Sequence, residues 1–310
     1  MHKNSHAVMF HHFHDNKHLP TQGSLSSRDF TQMIDWLNKH YSILHAGQYK
    51  ENFEKGTLKD TDICLTFDDA LKCQFDIAVP VMERLGIEAF FFIYSNALGN
   101  NPDPLEIYRL FRSTCYENID EFYKHFFYLA EQIDVAEFSR QSKKYTGLNY
   151  LGKFSFYTEN DKWFRYLRDN YLYGAPYDEL MNELMIQKNF DANAAKKDLW
   201  MSEEDVVITK SKGHIIGLHS YSHPTLMSKL SKVEQELEYR KNYEHLTALI
   251  GEPIKAMAHP CGNYNDNTLE ALKNLGIEIG FRHSMFPKEI LSSLEIPRED
   301  HANVLREMHQ

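Results

Sequence analysis

The sequence predicts an α/β chain built on a parallel sheet or barrel, with a helical insertion in its middle. Three observations lead there. Short apolar runs alternate with amphipathic stretches near the N-terminus, and the same alternation returns near the C-terminus. Between them, from about residue 104 to residue 212, the helical period dominates. Strand, helix and strand in repetition is the pattern of βαβ units, whose strands run parallel.

The elements follow in order. Ala7–Phe10 is apolar and reads as a strand. Ser27–His40 reads as a helix, because Phe30, Met33, Ile34 and Leu37 fall on one face. Ile43–His45 is a short strand, and the apolar run Ile63–Phe67 ends in two aspartates. Ile77–Leu85 is helical around Pro80, Gly86 is its stop signal, and Ala89–Tyr94 is a buried strand. In the middle, Asn118–Gln132, Asp161–Leu172 and Tyr177–Asn189 are the clearest helices. Such an insertion either shapes a substrate cleft or serves only as packing. Its Trp163, Tyr173, Tyr177 and Trp200 suit ligand stacking and core positions alike. Then come a strand at His214–Leu218, a long helix at Lys232–Ile250 closed by Gly251, and a strand at Ile254–Ala258. A helix at Asn267–Leu275, ended by Gly276, and a strand at Ile277–Phe281 complete the pattern. All 310 residues read as one barrel domain that includes the insertion at about 104–212.

Composition narrows the function. Apolar residues make up 42% and charged residues 25%, an ordinary globular balance. Lys plus Arg is 34 against 44 Asp plus Glu, so no basic face for nucleic acid is offered. No apolar run is long enough to span a membrane. Met1–Asn16 is polar and lacks the apolar region of a secretory signal, which predicts a cytoplasmic protein. Cys64, Cys73, Cys115 and Cys261 form no Cys-x-x-Cys pair and are expected as reduced thiols. Histidine occurs 17 times, six of them in the first 18 residues.

In a parallel barrel the chemistry sits at the C-terminal ends of strands. Three strand ends carry reactive residue types. The first is Thr66-Phe67-Asp68-Asp69, where adjacent carboxylates repel unless a cation or solvent offsets them. By itself it reads more simply as a helix cap beside a solvated acid than as a metal site. The second is His219-Ser220-Tyr221-Ser222-His223, whose two imidazoles share one face if the segment is helical and can then reach one ion. Zinc accepts imidazole nitrogen and carboxylate oxygen, and three such ligands leave a position open for water. The third is Ala258-His259-Pro260-Cys261-Gly262, where the strand breaks and Gly262 permits an unusual backbone angle. That turn either aims a backbone N–H into a site or simply joins strand to helix.

Taken together, the motifs resemble the polysaccharide deacetylase family (NodB homology, carbohydrate esterase family 4). Thr66–Asp69 and His219–His223 match the first two motifs of that family without departure, and the likeness covers roughly residues 7–99 and 213–298. The resemblance implies a distorted (β/α)7 barrel. It implies Asp69, His219 and His223 as ligands of a divalent metal, Zn2+ first, with Co2+ or Ni2+ as alternatives. Asp68 would be the general base for the attacking water, and the backbone N–H of Cys261 would help hold the oxyanion.

Two departures refine the likeness. Ala258 stands where the third motif usually has arginine, and the usual C-terminal Leu-x-x-His is absent, with His283 and His301 nearby but out of context. Both departures resemble the poly-N-acetylglucosamine deacetylase-like branch, in which the catalytic histidine is displaced to the N-terminus. By that resemblance, Phe10-His11 supplies His11 as general acid, with His12 and His14 as rivals, and Pro297-Arg298 supplies Arg298 to orient Asp68. The implied activity is metal-dependent removal of an N-acetyl group from an acetamido sugar or polysaccharide precursor, set in capsule or lipopolysaccharide biosynthesis. The alternatives are another C–N hydrolase on the same barrel, such as a deformylase, and a non-catalytic carbohydrate-binding scaffold. Oligomeric state is not readable from the sequence.

Overall fold

The computed structural model describes residues 4–99, 103–152 and 157–309. The chain divides into two compact units, Met1–Asp103 with Asp198–Gln310, and Pro104–Lys197.

The first unit is a parallel sheet of eight strands. They are β1 (His6–Phe10), β2 (Ser42–Ile43), β3 (Asp62–Asp68), β4 (Phe90–Ile93), β5 (Ile215–Leu218), β6 (Ala256–Ala258), β7 (Ile279–Phe281) and β8 (Arg298–Asp300). The order is β7-β6-β5-β4-β3-β1-β8, and β2 pairs the start of β3. Ile296 bridges Phe281 of β7, while Arg298 two residues later pairs with Ala7 of β1. One short segment thus joins the two edges of the sheet and nearly closes it, as expected of a distorted (β/α)7 barrel. Closure removes the open edges that would otherwise expose unpaired backbone groups.

Helices α1 (Ser27–His40), α2 (Ala46–Glu54) and α3 (Val79–Leu85) connect the early strands. The second unit holds α4 (Leu105–Thr114), α5 (Ile119–Ile133), α6 (Val135–Thr146), α7 (Glu159–Tyr166), α8 (Ala175–Gln187) and α9 (Ala192–Lys196). Back in the first unit follow α10 (Glu203–Ser211), α11 (Lys232–Ile250), α12 (Asp266–Asn274) and α13 (His301–Met308). The helical insertion therefore ends at Lys197, short of residue 212. The reason is that α10 belongs to the barrel: Val206 and Thr209 are buried, and Asp205 takes a 2.8 Å ion pair from Lys72. Trp200 likewise lies in the first unit, where it bridges Leu71.

Strand alternation decides what fills the barrel. Inward positions carry Ala7, Cys64, Phe90, Phe92, Ala256, Ala258, Ile279 and Phe281, small side chains set against large rings. Gly217 of β5 has no room for a side chain, since a Cβ there would meet the Phe92 ring at 2.6 Å. Asp68 has the same strand parity as Cys64, and Arg298 pairs opposite Ala7, so both also point inward. On the outer face of the sheet, Phe10, Phe13, Phe30, Phe67 and Phe91 pack ring on ring beneath α1. The second unit has its own aromatic core, with Phe111, Phe122, Phe126, Phe164 and Tyr177 buried. Trp163 there is half-buried, and Tyr173 is 52% exposed.

Candidate active site

The three motifs meet at the C-terminal mouth of the barrel. β3 carries Asp68 as its last residue, and the chain then turns through Asp69 (φ 77°) and Ala70 (φ 55°). At the end of β5, Ser220 (φ 62°) and His223 (φ 59°) also adopt the left-handed conformation, as does Cys261 (φ 51°) after β6. Of the seven described non-glycine residues with positive φ, five lie at these three strand ends. Such backbone costs on the order of 1 kcal/mol or more per residue and concentrates where function holds it.

The two histidines are not on one helical face. They converge through an irregular turn that α11 holds from behind. Glu238 accepts the backbone N–H groups of Tyr221 (3.1 Å) and Ser222 (2.8 Å) and the Ser222 hydroxyl (2.8 Å). One turn along the helix, Asn242 accepts the His219 N–H at 3.0 Å and donates to the Ile93 carbonyl at 3.0 Å.

Each imidazole is oriented through its Nδ1. His219 Nδ1 pairs with the Ala258 carbonyl at 2.9 Å, and His223 Nδ1 with Asp103 Oδ2 at 3.2 Å. Both Nε2 atoms then face Asp69 Oδ1, at 3.5 Å and 3.3 Å. That oxygen is buried and has no hydrogen-bond partner. A buried carboxylate oxygen left unsatisfied is costly, and a cation resolves it. In a tetrahedral zinc site with bonds near 2.1 Å, ligand atoms stand about 3.4 Å apart, which matches the spacing from Asp69 Oδ1 to each histidine. The three residues therefore fit a divalent ion, and the fixed Nδ1 partners are what metal-binding imidazoles require. Burial opposes charge on His223, but the Asp103 hydrogen bond and the Asp69 charge outweigh it and push its pKa up to about 10.

Asp68 is 2% exposed. Arg298 grips it with a fork, Nη1 to Oδ1 at 2.7 Å and Nη2 to Oδ2 at 2.8 Å. The guanidinium is itself fixed, by Nε to the Arg282 carbonyl at 2.6 Å and Nη1 to Thr66 Oγ1 at 3.3 Å. Burial alone would raise the Asp68 pKa, but the Arg298 charge more than offsets it and holds the group below the usual carboxylate range. His11 stands 3.8 Å through Nε2 from both Asp68 Oδ2 and Asp69 Oδ2, with its side chain 25% exposed. His12 stacks on His11 with ring centroids 6.0 Å apart, and His14 Nδ1 pairs with Ser24 at 2.8 Å.

Cys261 lies on the turn Pro260–Gly262 and is exposed. A Cβ at Gly262 would meet the His283 ring at 2.9 Å, so the turn packs directly against that imidazole. His259 is fully buried, stacked on Tyr264 at 4.0 Å and paired with the Leu294 carbonyl at 2.9 Å, which makes it packing and not lining. His301 is also buried, with Nε2 on the Gly23 carbonyl at 2.8 Å. Sequence reasoning missed Asp103, Glu238 and Asn242. The polar pair on α11 left one signal, two hydrogen-bonding residues four apart on the face that carries Tyr239 and Leu246.

Residues 183–280 match the family model described as polysaccharide deacetylase. No curated protein matches the chain. Among solved structures, the chain is similar to the Streptococcus pyogenes deacetylase PplD in complex with acetate, at 13% identity and a TM-score of 0.56 over 99% of both chains. It is similar to IcaB from Ammonifex degensii, at 14% identity and a TM-score of 0.54 over 96% of this chain and 87% of that one. A de-N-acetylase from Aggregatibacter actinomycetemcomitans is alike at 12% identity and a TM-score of 0.54, over 95% of this chain and 93% of that one. These likenesses are of fold. The segment that matches the family model holds the histidine motif and the third strand end.

Proposed function

We propose that this chain is a metal-dependent N-deacetylase acting on an acetamido sugar or a polysaccharide precursor. The observation that carries the reading is the orphaned Asp69 Oδ1 between two Nε2 atoms, beside the forked Asp68. Asp69, His219 and His223 would hold a divalent ion, most simply Zn2+, with Co2+ or Ni2+ also suited to imidazole. When bound, such an ion supplies a Lewis acid that polarises the amide carbonyl and makes water acidic near neutrality.

The rest of the reaction falls to the chain's own side chains. Asp68 is kept ionised by Arg298, and each of its oxygens keeps a second lone pair, so it can take the proton of the attacking water. The Cys261 backbone N–H would receive the negative charge that builds on the carbonyl oxygen, a contribution of about 3 kcal/mol for a donor of this kind. His11, within reach of the same carboxylates, would give its proton to the departing nitrogen. Acetate and a free amine result. No helix among the described residues is long and apolar enough to cross a membrane. We place the reaction in the cytoplasm, in capsule or lipopolysaccharide biosynthesis.

The test uses metal analysis with acetate and formate assays on N-acetylglucosamine oligosaccharides. Asp69→Ala and His219→Ala lose metal and turnover together, while Asp68→Asn keeps the metal and loses turnover. Formate in place of acetate from the matching N-formyl sugar points to a deformylase. Protein that neither retains nor binds zinc, cobalt or nickel points to a scaffold.

A further inference from the structure

β1 and β3 pair as far as Phe10 and Phe67. His11 lies one residue beyond that ladder, and the residues that follow it, His12 and His14, bond through their backbones to Leu25. The His11 carbonyl itself is reached by a side chain outside the motifs. Gln74 opens a π-helical turn, Gln74–Ala78, and is fully buried. Its Nε2 donates to the Asp68 carbonyl at 2.6 Å and to the His11 carbonyl at 2.9 Å. Both N–H groups of the amide are thereby used. The amide orientation is forced, because turned over its oxygen would face two carbonyl oxygens. Gln74 Oε1 is buried with no hydrogen-bond partner, so a polar atom is held out of water to keep these two contacts. One residue earlier, Cys73 Sγ accepts the Phe13 N–H at 3.4 Å. The turn thus grips the His11 segment at two points and Asp68 at one, and π-helical turns of this kind recur at functional sites.

We infer that Gln74 is a positioning residue that sets the His11 imidazole against the Asp68–Asp69 pair and acts through His11. The inference rests on the reading of His11 as general acid. A displaced acid on a segment outside the sheet needs a tether to the base, and Gln74 is the side chain that touches both backbones.

The test compares Gln74→Met, of similar length but without donors, in the metal-loaded full chain. With an N-acetylglucosamine oligosaccharide as probe, kcat falls at least about tenfold, while KM and metal content hold within about twofold. In a His11→Ala background the same substitution changes kcat less than about twofold, since its effect is already spent. A readout independent of turnover is the His11 ring resonance, identified by its loss in His11→Ala. It moves in Gln74→Met, while that of His40, paired with the Trp36 carbonyl at 2.8 Å, stays. Equal losses in both backgrounds, an unmoved His11 signal, or a variant that loses only thermal stability and metal would overturn the inference. Near-normal turnover in His11→Ala instead sinks the acid reading, and the ring signal still decides whether the tether exists.

Discussion

Arg298 and Asp68 face each other inside the barrel through two parallel hydrogen bonds of 2.7 Å and 2.8 Å, with both groups almost wholly buried. A buried ion pair contributes little net stability while intact, but removing one partner strands the other. Arg298→Met should therefore destabilise the fold by about 3–5 kcal/mol in urea unfolding and abolish turnover. Arg298→Met combined with Asp68→Asn should regain much of the stability and none of the activity. A double variant no more stable than Arg298→Met alone would deny that the lost pair is the cause.

Asp103 should matter to metal affinity although it is not placed as a ligand. It pairs with the outward nitrogen of His223, and such partners typically change affinity by about 10–100-fold. Asp103→Ala should weaken zinc binding by that amount in a chelator competition, and Asp103→Asn, which keeps an acceptor, by less. Equal affinity in wild type and Asp103→Ala would remove Asp103 from this role.

Glu238 should act on the same ligand through the backbone. Without its carboxylate, the N–H groups of Tyr221 and Ser222 lose their acceptor and the turn loses its brace. Glu238→Ala should weaken zinc binding by about tenfold, and Glu238→Gln should restore most of it, since its carbonyl oxygen still accepts. A glutamine variant as poor as alanine would show that charge, not bracing, is what Glu238 supplies.

His214 gives a pH dependence away from the site. It is 2% exposed, and its Nδ1 accepts the Ala89 N–H at 3.0 Å, which a proton on that nitrogen would forbid. Burial first, then the Lys212 charge, lower its pKa to about 4. The unfolded chain takes the proton near pH 6.5, so stability is full above that pH and is lost as pH falls toward 4. The slope is at most about 1.4 kcal/mol per pH unit. Urea midpoints between pH 7 and pH 4.5 should fall less steeply in His214→Asn, whose oxygen can keep the Ala89 contact. Parallel curves would exclude His214 as a source.

Much of the scaffold was legible because its signals are local. Ser27–His40 and Lys232–Ile250 were predicted to the residue. Their N-terminal ends are set by capping boxes, Ser26 with Asp29 and Ser231 with Glu234, that depend on neighbours in sequence. β8 gave no strand signal, because Arg298-Glu299-Asp300 is short and charged, and its burial comes from pairing with β1. The spacing of His219 and His223 suggested a helix face, whereas the turn relies on positive φ at Ser220 and His223, which those residue types rarely announce. Asp103 reaches His223 across 120 residues. No periodicity spans such a gap, and the partner becomes visible only when the barrel brings both segments to one mouth.

The closing of the barrel has a consequence for when the protein becomes competent. Asp68 is separated from Arg298 by 230 residues, and Arg298 arrives on the last strand. During synthesis, β1, β3 and the histidine turn all emerge before that counter-charge exists. Until β8 docks beside β1, Asp68 lacks the fork that offsets its burial, and the mouth cannot seal around it. A molecule clipped before β8 keeps its ligand residues yet lacks the counter-charge that arms the site.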